Sequence, residues 1–119
     1  MENIEGILSG LVQAIPGATM AAFLGLDGVG VQIALGDAWK EVDQEIIEVE
    51  LAALAEAVQR AVHGLQTDPS PEFFLSTARA NFVGAMVDAS YFLVLGLEPG
   101  GDLERAGEGL AEAREALVA

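Results

Sequence analysis

Four glycines fall within the thirteen residues Leu24 to Gly36, "LGLDGVGVQIALG", with Asp27 beside one of them. A glycine-rich turn after an apolar strand can cradle phosphate, because backbone N–H groups approach the anion where no Cβ intervenes. The mononucleotide form of that loop needs G-x-x-x-x-G-K-[ST], and no Lys-Ser or Lys-Thr pair occurs in the chain. The dinucleotide form needs G-x-G-x-x-G opening into a helix. Here Gly25, Gly28 and Gly30 lead into another strand-like run. Hairpin geometry is the better account of them, and no cofactor is expected.

The remaining reactive residues are sparse. His63 is the only histidine and sits near the end of a helical pattern, without a serine or aspartate that stands out as its partner. One histidine and scattered carboxylates make a poor zinc site. The run Glu41, Asp43, Glu45, Glu48 and Glu50 is acidic but lacks the Gly-centred loop and oxygen spacing of a calcium hand. It reads as a solvated helix start or as an acidic patch facing a partner, and no metal is expected. Asp27 and Asp88 are lone acids near turns. Arg60, Arg79, Arg105 and Arg114 are scattered, and only Arg79, on a hairpin tip, is placed to reach outward. Trp39 either covers the sheet's edge or anchors a partner. No nucleophile, base and orienter converge, so no catalytic residues are expected and the chain is not read as an enzyme.

The elements that must position these residues follow from periodicity. Ile4, Ile7, Leu8, Leu11, Val12 and Ile15 recur at helical spacing behind Asn3 as N-cap, and Pro16-Gly17 stops them. Ala18–Leu26 and Val29–Leu35 read as strands around Asp27-Gly28, a type I′ hairpin with positive φ at both central residues. That turn pairs Leu26 with Val29, Leu24 with Val31, Ala22 with Ile33 and Met20 with Leu35, all on one face. The other face carries Phe23, Gln32 and the small residues Ala21, Gly25, Gly30, Ala34 and Gly36, which would let a helix lie close.

Residues 43–65 form the longest helical pattern. Ile47, Leu51, Leu54, Val58, Val62 and Leu65 make one stripe for the sheet. A second stripe, Ile46, Val49, Ala53 and Ala57, calls for another helix, such as one from a second copy. After "QTDPSP", read as a loop, come three strand candidates, Glu72–Ala78, Phe82–Asp88 and Tyr91–Leu97. The last is apolar on both faces and should be central. Asp102 caps a final helix in which Leu103, Ala106, Leu110 and Leu117 recur. The expected fold is therefore α/β of the α+β type. It has a five-stranded, mainly antiparallel sheet in the order α-β-β-α-β-β-β-α, with two helices on one face and the long helix on the other.

The bulk numbers narrow the partners. The 119 residues suffice for one domain, read as 1–119, and 52% of them are apolar. Nineteen acids against five bases give a formal charge of -14. That disfavours nucleic acid and anionic membrane surfaces and favours basic partners. There is no cysteine, no recognisable secretory segment and no apolar run long enough to span a bilayer, so a cytoplasmic location is expected.

The order of elements, together with "LSGLVQAIPGATMAAFLGLDGVGV", "ELAALAEAV" and "YFLVLGLEPGGDLERA", resembles the roadblock (dynein light chain) family in its bacterial MglB-like branch. The resemblance covers nearly the whole chain. It implies a homodimer or heterodimer in which long helices and edge strands meet across a two-fold. It further implies a scaffold that regulates a Ras-like small GTPase without supplying catalytic residues. Carried onto this chain, the interface would comprise Ile46, Val49, Ala53 and Ala57 with Phe73, Leu75 and Thr77. The alternative is a profilin-like small-molecule sensor, in which the sheet and the long helix enclose a ligand.

Overall fold

Helix formation begins at Asn3, whose side-chain oxygen accepts the Glu5 N–H at 2.9 Å and so satisfies one of the free donors of the first turn. The computed structural model describes residues 3–67 and 72–118. The chain runs α1 (Ile4–Ala14), β1 (Ala18–Gly25), β2 (Gly30–Leu35), a 3-10 turn (Asp37–Trp39), α2 (Gln44–Leu65), β3 (Glu72–Ser76), β4 (Asn81–Met86), β5 (Tyr91–Leu97) and α3 (Leu103–Val118). The sheet order is β2-β1-β5-β4-β3, with every neighbouring pair antiparallel. The expected α+β order and central β5 are both present. Residues 68–71 of the expected "QTDPSP" loop lie outside the described residues.

Two apolar layers flank the sheet. On one face α1 and α3 bury Leu8, Leu11, Ala106 and Leu110 against Ala21, Phe23, Leu93, Leu95 and Leu97. On the other face α2 buries Ile47, Leu51, Ala52 and Ala55 against Met20, Ala22, Leu24, Met86, Phe92 and Val94. β5 feeds both layers by strand alternation, which is why it reads as apolar throughout.

The β1–β2 turn differs from the expected type I′. Gly28 has φ +89°, but Asp27 is not among the positive-φ residues. Gly28 N–H donates to Gly25 O, Gly25 N–H to Val29 O, and the Asp27 carboxylate accepts the Val29 N–H at 3.0 Å. This is a three-residue loop closed by a glycine after a type I-like turn. The extra loop residue shifts the register by one, so Leu24 pairs with Gly30 rather than Val31 and Leu26 does not pair with Val29. A bulge then restores the expected pairs Ala22–Ile33 and Met20–Leu35. Asp27's own hydrogen bond to Val29 explains the outcome, since it holds the turn without forcing an aspartate to positive φ.

The glycines of this hairpin do not make room for a helix, as the sequence suggested. A Cβ at Gly25 would meet the Asp27 carboxylate at 2.6 Å, one at Gly36 would meet Thr19 O at 2.7 Å, and one at Gly30 would overlap the Glu48 side chain from α2. Close helix packing occurs instead at Gly109, where a Cβ would lie 2.9 Å from Ile15, the C-cap of α1, and 3.1 Å from Leu11 within it.

Strand ends and one helix position also differ from expectation. β3 ends at Ser76, not Ala78, because the Thr77 hydroxyl donates to Ala80 O and accepts the Ala80 N–H, which turns the chain. β4 ends at Met86, not Asp88, because the Asp88 carboxylate accepts the Ser90 and Tyr91 N–H groups. Asp102 caps α3 through the Arg105 N–H, but Leu103 is exposed and Ala113 takes the buried position instead.

Candidate partner-binding surface

α2 is amphipathic on its inner side and apolar again on its outer side. The inner row is Ile47, Leu51 and Ala55, an i, i+4 repeat, with Ala52 beside it. Burial falls away along the helix: Leu54, Val58 and Val62 are half-buried, and Leu65 is 74% exposed. The expected sheet-facing stripe through Leu65 therefore holds only in its first half.

On the side turned away from the sheet, Ile46 is 57% exposed and Val49 56%, and Ala53 and Ala57 are exposed below them. These four fall on neighbouring turns and form one row. Glu45, Glu50 and Glu56 around them are exposed. Asp43 is the N-cap of α2, and its carboxylate accepts the Glu45 N–H. Arg60 pairs with Glu56 at 3.6 Å, the one ion pair among the described residues, and both side chains are so exposed that the pair contributes little.

β3 is the sheet edge on which the remaining expected interface residues lie. Phe73 packs into the α2 layer, its ring covering Gly84, where a Cβ would overlap it. Leu75 follows on the same face by alternation and is 38% exposed. Thr77 falls beyond the strand, with its hydroxyl used by the turn. Phe74, not among the expected interface residues, points to the opposite face and is 52% exposed. Two adjacent aromatics on an edge strand, one for each face, were the available signal.

The other candidates stay apart from one another. His63 lies at the exposed end of α2 near Gln59, Val62, Gln66 and Thr67, and the only hydroxyl there donates to Val62 O. Asp27 and Asp88 each serve their own turn. Arg79 is exposed at the β3–β4 tip. Trp39 is half-buried, donates from Nε1 to Thr19 Oγ1 at 2.9 Å and stacks 5.7 Å from Phe82, so it closes the α2 layer. Among the described residues, no group of three or more His, Asp or Glu is placed to hold a metal ion. The space between sheet and α2 is filled by Met20, Leu24, Phe92 and Val94. A concavity of about 510 Å³ is instead an open groove between α1 and α3.

No family model matches the sequence, and a search of curated proteins finds no match. Solved structures do match. A Roadblock/LC7 domain from Streptomyces avermitilis superposes with a TM-score of 0.83 at 15% identity, over 98% of this chain and 95% of that one. The chain has the roadblock fold. MglC from Myxococcus xanthus is 26% identical over 92% of each chain, with a TM-score of 0.66. An MglB with a tetrameric arrangement gives 0.82 at 17% identity, over 96% of this chain and 84% of that one. Within this roadblock fold, the outward row of α2 and the β3 edge are among the exposed apolar features that the two core layers do not absorb, with Leu65 at the end of α2 and Val29 and Val31 beside the β1–β2 turn as others. No helix among the described residues is long and apolar enough to cross a membrane.

Proposed function

We propose that this chain belongs with the MglB-like roadblock proteins. In this reading it pairs through α2 and β3 into a dimer, and the dimer is a non-catalytic platform that regulates a Ras-like small GTPase in the cytoplasm. The observation that carries the reading is the outward row Ile46, Val49, Ala53 and Ala57. It leaves two large side chains more than half exposed on a helix whose inner face already covers the sheet. Contiguous exposed apolar surface of this kind marks an interaction site. Alanines at 53 and 57 suit two helices crossing at close range, because interaxial distance follows the side chains at the contact. Phe73 and Leu75 extend the surface to the open β3 edge, where a second copy can continue the ladder. The tetrameric arrangement of the MglB neighbour supports self-association of this fold.

The test is to mix the chain with each Ras-like GTPase encoded in the same genome. Complex formation and an altered rate of GTP hydrolysis are expected with one of them. Absence of a complex with every candidate would overturn the GTPase assignment.

A further inference from the structure

β2 is the second open edge of the sheet, at the end opposite β3. It pairs only with β1, and none of its residues is fully buried. Gly36 N–H donates to Thr19 O. Antiparallel alternation therefore turns Ala34 and Gln32 toward β1 and leaves the N–H and C=O of Ile33 and Leu35 facing outward. Such a row is a template for an added strand.

The α2 side of this edge is shaped as well as open. A groove of about 250 Å³ lies between β2 and the start of α2, lined by Gly30, Val31, Gln32, Ile33, Gln44 and Glu48. The Glu48 carboxylate reaches over Gly30 into the space a side chain there would fill. Glu48 is half-buried and makes no ion pair among the described residues. Val31, which lines the groove with it, is 44% exposed. The groove thus offers backbone hydrogen bonds, apolar contact and one unpaired negative charge, in a chain of net charge -14.

We propose that the β2 edge binds an extended segment of a partner protein as a sixth strand, with a lysine or arginine of that segment paired to Glu48. The bulge near Val31 confines the regular ladder to Gln32–Leu35, so the recognised segment is short. Main-chain bonds supply affinity, and the cation sets register and selectivity. The site lies at the sheet edge opposite β3.

The probe is a fluorescent heptapeptide alternating threonine and valine with one central lysine, added to isotope-labelled full-length protein and followed by amide NMR. The amides of Ile33 and Leu35 are expected to shift and to gain protection from exchange. Glu48→Gln should weaken binding about fivefold with unfolding unchanged, as for loss of one partly solvated ion pair. A peptide N-methylated at alternate residues, and one with glutamate for lysine, should not bind. No shift at β2 up to millimolar peptide, shifts elsewhere only, or affinity indifferent to Glu48→Gln would each overturn the proposal.

Discussion

Ala53→Glu places a carboxylate in the middle of the outward row of α2, one turn from both Val49 and Ala57. Ala53 is exposed in the single chain, so the folded protomer should change by less than about 0.5 kcal/mol. In a two-fold α2–α2 contact the same substitution appears twice, and both carboxylates enter a surface with little cation to meet them. Arg60 is the nearest base along the row and already pairs with Glu56. Taking about 2 kcal/mol for each incompletely compensated carboxylate, below the several kcal/mol of full burial, the dimer loses about 4 kcal/mol, close to a thousandfold in Kd. Sedimentation equilibrium over a concentration series reads that change directly, with circular dichroism and thermal unfolding as the control for the protomer. Ala57→Glu, one turn further, should repeat it. A Kd unchanged in both variants, with the fold intact, would show that the dimer uses another face.

Further expectations concern the frame that presents this surface. Gly84→Val should destabilise the chain by about 1–3 kcal/mol and weaken association, since the new side chain displaces the Phe73 ring; chemical denaturation and sedimentation together check it. Trp39→Phe removes the hydrogen bond to Thr19 and should cost about 1 kcal/mol in denaturant unfolding. Asn81, nine-tenths buried, carries an Oδ1 with no hydrogen-bond partner; Asn81→Val should therefore be neutral or stabilising by up to about 1 kcal/mol, read as a raised Tm. Gly28→Ala, at φ +89°, should cost about 1 kcal/mol or more without affecting association.

The fold was legible because its signals are local and periodic. Asn3 and Asp102 cap where their spacing says, and Tyr91–Leu97 is apolar on both faces because it lies between two helical layers. What was not legible depends on hydrogen bonds that side chains choose only in three dimensions. Asp27 bonding to Val29 replaced a two-residue turn by a three-residue one, and Thr77 and Asp88 each cut a strand short. The glycines misled for a related reason. Gly30 and Gly36 are small to admit Glu48 and the Thr19 backbone, which no spacing rule brings near them. The candidate surface was legible on α2, whose second stripe lies outward as a row. On β3, alternation sets Phe73 and Leu75 on one face of the strand, whereas Thr77 falls beyond its end.

Absolute mass by light scattering after gel filtration at micromolar concentration tests the central claim, that the outward face of α2 and the β3 edge join two copies. The expected mass is twice the 12.4 kDa of one chain, falling to the single-chain value in Ala53→Glu. A wild-type protein that elutes and scatters as a 12.4 kDa monomer would contradict it.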